Sequence, residues 1–362
     1  MIDLSALVPF GWKPFFQQQL SLDELDTLEP MRVTEVQRTL IRAMTNEGIR
    51  DVDYGHAERW SEHLTVGDWI LARNLGTQAY LARVLERQNG LMRKAAGSAV
   101  AEQWMAANLD AVFLVLACDQ TFSLSRLERY LAVVRQARIE PVIVLTKADL
   151  HPDPRELLQQ LPREYIAVAL DARAAAKASG LAPYVGSGRT IAMLGTSGVG
   201  KSTLVNALLG REVQDTGAVR TGDARGRHTT TSRQLLLLPG GGAIIDTPGI
   251  RELAMPGGDD AEGEFADIAA LATQCRFADC VHQGEPGCAV AAAIERGDFD
   301  ARRLANFRKL ARERAWNERE LMAHHQVKAV RRKWATRVKS SIKTKLARRD
   351  GAVGERDRGE RE

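Results

Sequence analysis

Residues 190–210 read TIAMLGTSGVGKSTLVNALLG, an apolar run followed by a Gly-rich turn and a second apolar pattern. The turn matches G-x-x-x-x-G-K-[ST], and a strand before it with a helix after it is the context in which that motif binds phosphate. Gly195 and Gly200 allow backbone N–H groups to wrap phosphate oxygens at a helix N-terminus. Lys201 is expected to hold the β- and γ-phosphates, and Ser202 to ligate Mg²⁺. The predicted phosphate-binding residues are Gly195, Thr196, Ser197, Gly198, Val199, Gly200, Lys201, Ser202 and Thr203.

A second motif for phosphate, DTPG, ends the apolar run AIID and begins at Asp246. Asp246 is expected to hold Mg²⁺ through water, and the Gly249 N–H to meet the γ-phosphate, so that this loop senses hydrolysis. Between the two motifs, residues 226–231 read GRHTTT within a Gly/Arg/Asp-rich stretch suited to a switch. Thr230 is the expected ligand of Mg²⁺ and the γ-phosphate, with Thr229 as the neighbouring alternative.

The motif TKAD follows the apolar run PVIVL and is suited to reading a nucleotide base. The Asp149 carboxylate can accept both the ring N–H and the exocyclic amine of guanine, a pair of donors that adenine lacks. The Lys147 stem can lie over the base. Together with the phosphate motifs, TKAD therefore favours GTP over ATP. The predicted base-binding residues are Thr146, Lys147, Ala148 and Asp149.

These motifs stand in an unusual order. In an ordinary GTP-binding domain the phosphate loop comes first, DxxG second and [NT]KxD last, whereas here TKAD precedes both. From residue 111 to residue 249, apolar strand patterns alternate with helix patterns, which is typical of a parallel α/β sheet. The order and the alternation predict a circularly permuted P-loop GTPase domain, which the chain leaves just after DTPG.

The residue that usually orients the attacking water is replaced in this sequence. Ile250 stands after DTPG, where Ras-like enzymes carry a glutamine that orients this water, and its side chain cannot do so. We therefore expect slow intrinsic hydrolysis. His228, beside the switch threonines, is the candidate water-orienting group or base, although a solvated loop histidine fits the sequence equally well. The predicted catalytic residues are His228, Thr230 and Lys201.

Three of the four cysteines lie close together near the C-terminal side of these motifs. With one histidine they form C-x4-C-x-H-x5-C, made by Cys275, Cys280, His282 and Cys288. Three thiolates and an imidazole suit one tetrahedral Zn²⁺, and four protein ligands make the site structural. Free thiols are the alternative. Cys118 lies in an apolar run and is predicted to be a core residue.

The net charge of +4 hides an uneven distribution. Residues 301–349 hold 17 Lys and Arg against 3 Asp and Glu, a local charge of +14, so the rest of the 362-residue chain sums to −10. A basic tail on an acidic body indicates a polyanionic partner, with a solvated helix face as the alternative. The N-terminus lacks a secretory signal pattern, and the longest apolar run, 111–118, is too short to cross a bilayer. We expect a soluble, cytoplasmic protein.

The N-terminal quarter has a different pattern. SLDELDTLEP in the lead-in reads as a capped helix that stops at Pro30. From Met31 to Gln88 come short β-rich runs separated by Gly, Asn and Asp turns. Their number and length suit a five-stranded barrel such as the OB-fold, a frequent nucleic-acid module, although another small β-barrel fits nearly as well.

With these residues assembled, the chain resembles the circularly permuted, ribosome small-subunit-dependent GTPase family known as RsgA, YjeQ or YloQ. The resemblance rests on VGDW, RQNGLMRKAAG, TKADL, GTSGVGKSTLVNALLG, GRHTTT, DTPGIRE, the Cys/His cluster and NFRKLARE. It implies an N-terminal OB-fold, a central permuted GTPase and a C-terminal zinc domain with helices. It further implies GTP hydrolysis stimulated by the small ribosomal subunit, a checkpoint in late maturation of that subunit near its decoding region, and a catalytic role for His228. The chain departs from the family near Ala169 and Leu170, where the Ser-Ala pair that backs guanine O6 is missing, and in the basic tail.

The sequence thus predicts five segments and a set of partners. The segments are a lead-in (1–29), an OB-like RNA-binding barrel (30–90), a permuted GTPase domain (91–256), a zinc-binding domain (257–300) and a basic helical tail (301–362). The expected partners are GTP or GDP with Mg²⁺, and the small ribosomal subunit with its rRNA. We expect neither DNA nor membrane binding, and a monomer. Two alternatives stay open: a permuted GTPase for the large subunit, and an RNA-binding scaffold in which nucleotide is a structural ligand.

Overall fold

The computed structural model describes residues 3–37, 39–55, 64–94, 102–173, 175–212, 233–246, 265–298, 300–312 and 319. Among the helices in these ranges, none combines the length and the apolar character needed to span a bilayer.

The lead-in is helical and packs against the barrel. It contains a 3₁₀ helix (Leu4–Phe10) and the helices α1 (Pro14–Gln17) and α2 (Leu22–Thr27). A capping box starts α2 as its sequence predicts, because the Ser21 hydroxyl accepts the Glu24 N–H while the Glu24 carboxylate accepts the Ser21 N–H. Large apolar side chains anchor the segment against the barrel, in a cluster made by Leu7, Trp12, Phe16, Leu28, Trp69, Leu71 and Leu85.

The barrel has the strand order of an OB-fold. Its strands are β1 (Glu29–Val36), β2 (Leu40–Thr45), β3 (Gly48–Asp53), β4 (Trp69–Leu75) and β5 (Gln78–Val84). They close in the order β1-β2-β3-β5-β4, with β3 and β5 parallel and the other pairs antiparallel. The predicted five-stranded OB-like barrel is therefore confirmed. Pro30 lies within β1 rather than before it.

A hairpin that the sequence patterns did not predict follows the barrel. It consists of β6 (Gly90–Lys94) and β7 (Glu102–Ala107). The Trp104 carbonyl accepts hydrogen bonds from the Thr65 hydroxyl, at 3.3 Å, and from Arg233, at 2.8 Å. Because Thr65 precedes β4 and Arg233 precedes a strand of the central sheet, the hairpin joins the barrel to the nucleotide domain.

The central sheet carries the α/β pattern read from the sequence. Its strands are β8 (Ala111–Ala117), β9 (Glu140–Thr146), β10 (Ile166–Ala169), β11 (Thr190–Leu194), β12 (Gln234–Leu237) and β13 (Ala243–Asp246). They lie in the order β10-β9-β8-β11-β13-β12, and only β12 is antiparallel to its neighbour. The helices α3 (Leu124–Gln136), α4 (Pro154–Gln159) and α5 (Lys201–Leu209) belong to this domain. All seven residues of β8 are buried, since apolar clusters cover both faces of the sheet.

Buried polar groups mount the barrel on the sheet. The Arg32 guanidinium, 1% exposed, donates to the carbonyls of Phe10 and Asn108. Burial lowers the pKa of Arg32 to about 10, so it remains charged at neutral pH. In VGDW, a Cβ on Gly67 would lie 2.3 Å from the Ala107 carbonyl oxygen, so only glycine permits this approach of barrel and hairpin. Barrel and sheet are therefore held in one arrangement.

The C-terminal part packs on α3. It contains α6 (Ala266–Ala272), α7 (Ala289–Arg296) and a helix over residues 301–312. The Glu128 carboxylate of α3 is buried and accepts from Arg302 at 3.1 and 3.2 Å and from Asn306 at 2.6 Å. A buried carboxylate requires such donors, so these contacts fix where the C-terminal helix sits on the nucleotide domain.

The Glu128 contact should make a measurable contribution to that docking. Asn306→Ala removes the 2.6 Å hydrogen bond to the carboxylate and a 3.1 Å bond to the Ser125 carbonyl, and we expect the local opening free energy of helix 301–312 to fall by about 2 kcal/mol. Hydrogen exchange of its backbone amides measures this quantity. Arg296→Ala is the control, because its pair with Asp298 is exposed and should contribute less than about 1 kcal/mol. Equal losses in the two variants would contradict the assignment.

Candidate functional site

The loops that carry the motifs meet at one edge of the sheet. TKAD begins at Thr146, the last residue of β9; the phosphate loop follows Leu194 at the end of β11; and DTPG begins at Asp246, the last residue of β13. These three strands run parallel, so their carboxyl ends share an edge, which is where open α/β sheets bind ligands. The permuted chain order thus leaves the motifs side by side.

The phosphate loop is shaped by close packing on its neighbour strand. A Cβ on Gly195 would lie 2.4 Å from the carbonyl oxygen of Val115, a separation that no side chain tolerates. Helix α5 begins at Lys201 and points its N-terminus into the loop. Free N–H groups and the positive end of a helix dipole at this position suit phosphate. The strand before the loop and the helix after it are as the motif requires, and phosphate binding by the loop stays a prediction.

Lys201 lies over this loop. Its Nζ donates to the carbonyl oxygens of Gly195 and Thr196, both at 2.8 Å. Burial lowers the pKa of Lys201, and the charge of the Asp246 carboxylate opposes that shift. A partly dehydrated ammonium group beside the loop is in the right place to compensate phosphate charge.

Thr146 has a different environment from the rest of TKAD. It is fully buried, and its hydroxyl lies within hydrogen-bond reach of the Leu116 carbonyl, at 3.1 Å, and of the Val199 carbonyl in the phosphate loop. The side chain therefore braces the base-reading strand against the phosphate loop. Its assignment as a nucleotide-binding residue stays a prediction.

The rest of TKAD is partly exposed and has charged neighbours. Lys147 has a left-handed φ of 53°, and its Nζ pairs with the Asp119 carboxylate at 3.0 Å. The Asp149 carboxylate accepts a hydrogen bond from the Arg173 guanidinium. The Ala148 N–H donates to the Leu170 carbonyl at 3.4 Å, which brings the loop after β10 alongside.

The loop after β10 lies next to TKAD. The Leu170 N–H donates to the Leu145 carbonyl at 2.8 Å and so continues the sheet pairing. The Arg173 guanidinium, three residues further along the chain, reaches the Asp149 carboxylate. Which backbone N–H contacts guanine O6 stays a prediction. Asp119 and Arg173 were missed by the sequence patterns. Asp119 follows the carboxyl end of β8 and Arg173 follows that of β10, the two strands on either side of β9 and TKAD. This position after a neighbouring strand is the sequence signal that could have identified them.

Several predicted residues lie outside the part of the chain that the structure describes. They are His228, Thr229, Thr230, Gly249 and Ile250. Ser202 and Thr203 lie in the first turn of α5, and Asp246 lies at the end of β13. The roles of all these residues in binding magnesium, phosphate or water stay predictions.

The four metal-ligand candidates do come together. Their donor atoms all lie within 4.8 Å of one another. His282 Nδ1 is 3.5 Å from the sulfurs of Cys275 and Cys288, and those two sulfurs are 3.9 Å apart. Tetrahedral zinc with Zn–S of about 2.3 Å and Zn–N of about 2.0 Å places its ligand atoms about 3.5 to 3.8 Å apart. The four residues could therefore hold a metal ion, and the spacing of Cys275, His282 and Cys288 is close to that of a tetrahedral site.

An OB-fold barrel, a sheet that brings TKAD, a P-loop and DTPG to one edge, and a Cys/His cluster together define a circularly permuted P-loop GTPase. The family model described as RsgA GTPase matches residues 84–256. The chain is 47% identical over 316 residues to the small ribosomal subunit biogenesis GTPase RsgA 2 of Vibrio vulnificus, covering 86% of this chain and 89% of that protein. It is also 47% identical over 271 residues to the small ribosomal subunit biogenesis GTPase RsgA of Opitutus terrae, covering 71% and 74%. The chain belongs to the RsgA GTPase family and is a GTP hydrolase.

Solved structures agree with this assignment. YjeQ from Thermotoga maritima superposes with a TM-score of 0.58 at 26% identity, covering 80% of this chain and 99% of that one. YloQ, described as a circularly permuted GTPase, superposes with a TM-score of 0.57 at 20% identity, covering 80% and 95%. At that identity the second comparison shows the fold alone.

Proposed function

We propose that this GTPase acts in late maturation of the small ribosomal subunit and that the subunit stimulates its hydrolysis of GTP to GDP and phosphate. One observation carries the proposal. The sheet edge that bears the nucleotide motifs belongs to a domain with two attached modules, the OB-fold barrel and the C-terminal part with the Cys/His cluster, and both are of kinds that contact RNA. Relatives named for small-subunit biogenesis support the choice of partner. The protein would act in the cytoplasm as a monomer, without binding DNA or a membrane.

At the nucleotide edge, each predicted residue has a separate role. Asp149 reads guanine with Lys147 alongside, the loop 195–200 and Lys201 hold the phosphates, and Gly249 meets the γ-phosphate. Ser202, Thr230 and Asp246 would hold Mg²⁺, which would supply positive charge to neutralise the charge that develops during transfer. His228 orients or deprotonates the attacking water. The position of Lys201 over the loop and of Asp246 at the same edge supports these assignments.

The modules on either side of the nucleotide domain would bind rRNA. The barrel supplies an OB-type surface and the basic tail supplies charge for the phosphate backbone. The Cys/His cluster would hold one structural Zn²⁺, which all four donors suit. The docking of helix 301–312 on Glu128 supports a mechanical link between the C-terminal module and α3. The domain boundaries follow the same division: lead-in to 29, barrel to 90, GTPase to 256, zinc domain to 300 and tail to 362.

The proposal is tested by measuring GTP hydrolysis by the full chain alone, with purified small subunits, and with purified large subunits. We expect slow turnover alone and a rise on the order of 10²-fold or more with small subunits, the effect of bringing one catalytic group into position. An equal rate with and without small subunits would overturn the proposal. Stimulation by large subunits only would favour a role in large-subunit assembly, and a lack of multiple turnovers would favour an RNA-binding scaffold.

A further inference from the structure

The Arg173 guanidinium contacts the carboxylate of Asp149, the residue that is proposed to bind the guanine base. This guanidinium donates to Asp149, and it also donates to the two carboxylate oxygens of Asp171 at 3.1 and 3.3 Å. The backbone holds this geometry, because the Arg173 N–H donates to the Asp171 carboxylate at 2.9 Å. Arg173 is thus a charged side chain shared between two carboxylates, one of which belongs to TKAD.

The chemistry of the two possible partners of Asp149 is nearly the same. The edge of guanine that a carboxylate reads carries a ring N–H and an amine on one carbon, which is itself a guanidine fragment. The guanidinium of arginine likewise presents parallel N–H donors that match a carboxylate. Guanine needs both oxygens of Asp149, and the Arg173 guanidinium already donates to one of them, Oδ2, so the base and Arg173 compete for that oxygen.

We infer that Arg173 is a tethered competitor of the guanine base and so sets the affinity and the release rate of guanine nucleotides. The inference rests on the proposed role of Asp149 as the guanine reader. Arg173 already donates to Asp171, so it keeps that carboxylate as a partner when guanine displaces it from Asp149. While the base is leaving, Arg173 takes the Asp149 oxygen that it vacates, which speeds dissociation and hinders rebinding.

The size of the effect follows from exposure. The Arg173 side chain is 68% exposed and that of Asp149 is 30% exposed, so their ion pair is of the weak, solvent-screened kind. A pair of this kind lowers the apparent affinity for a competing ligand by at most about fivefold. Salt should reduce the competition further. Hydrogen bonding to Asp171 and the charge of Asp149 raise the pKa of Arg173. The competition therefore does not depend on pH in the physiological range.

The test measures binding and dissociation of fluorescently labelled GDP with the full chain. We expect Arg173→Ala to bind GDP about two- to fivefold more tightly and to release it more slowly, with the difference shrinking at high salt. Arg155→Ala is the matched control, because it removes an exposed arginine from α4 in the same domain and should leave both quantities unchanged. Unchanged or weaker GDP binding by Arg173→Ala overturns the inference.

Two further measurements separate this outcome from failure of the proposed base assignment. If Asp149 reads guanine, the wild type prefers GDP to ADP, and Asp149→Asn moves the preference towards xanthosine diphosphate. In the Asp149→Asn background, Arg173→Ala should then have little effect, because the shared carboxylate is gone. A wild type without preference for GDP refutes the base assignment. A wild type that prefers GDP, together with an inert Arg173→Ala, refutes the inference about Arg173 alone.

Discussion

Lys201→Ala is expected to lower GTP hydrolysis by about 10²–10³-fold, with or without small subunits, and to weaken nucleotide binding. The ammonium group lies on the phosphate loop, 2.8 Å from two of its carbonyl oxygens, and burial has removed part of its water. Phosphate oxygens would replace those carbonyls as its partners, and a dehydrated charge interacts with them more strongly than a solvated one. The loss should therefore affect both the bound state and the transition state.

His228→Ala should fail in a different way. A group that orients or deprotonates water contributes only to the chemical step, so GTP affinity should stay unchanged while the stimulated rate falls by about 10²–10⁴-fold. Equilibrium binding and single-turnover hydrolysis distinguish the two variants, and Arg155→Ala again controls for loss of a positive charge. A wild-type stimulated rate in His228→Ala would exclude that histidine. Normal hydrolysis by Lys201→Ala would exclude the phosphate role of Lys201.

The nucleotide edge could be predicted because its motifs are local in sequence. One example is a Gly-rich turn between a strand and a helix, and another is TKAD after an apolar strand. In each, the local backbone conformation positions the functional groups, so the motif can be recognised from neighbouring residues alone. The charged partners of TKAD could not be predicted in this way. Arg173 meets Asp149 across 24 residues, and Asp119 meets Lys147 across 28, because β8, β9 and β10 are neighbours in the sheet. Only strand order brings those side chains together.

The parts that the sequence reading missed have related causes. The hairpin strands are short, and the first of them carries charged residues, so neither has a clear apolar alternation. Arg32 is buried in the core although arginine is almost never fully buried unless it is paired. Its partners are backbone carbonyls of Phe10 and Asn108, whose positions depend on how the lead-in and the hairpin pack against the barrel.

The packing also changes how the C-terminal module is connected to the nucleotide site. The chain order alone indicates a link through the segment that follows DTPG. The structure adds a second contact, from helix 301–312 to Glu128 of α3. Helix α3 follows the loop that contains Asp119, the partner of Lys147. A shift of the C-terminal module would therefore move α3 and, through the loop with Asp119, the TKAD side of the site. The same shift would also act on DTPG through the chain that connects them.

Loss of one ligand in the Cys/His cluster should have the largest structural effect. We expect Cys288→Ser to lose bound zinc and to unfold the module around α7, because a structural zinc site supplies much of the folding free energy of a small module. Cys288 also caps α7, since its sulfur accepts the Ala291 N–H at 3.3 Å. Cys280→Ser should lose the metal too, while the cap remains.

Zinc released from the purified variants on denaturation, together with hydrogen exchange across residues 265–298, measures both effects. Cys118→Ser is the control for thiol loss, because this buried residue of the central domain lies outside the cluster. It should retain one zinc per chain. GDP binding should survive in Cys288→Ser, since the phosphate loop and TKAD are built on strands of the central sheet and not on the metal. One full equivalent of zinc in Cys288→Ser, or unchanged exchange in α7, would contradict a structural metal site.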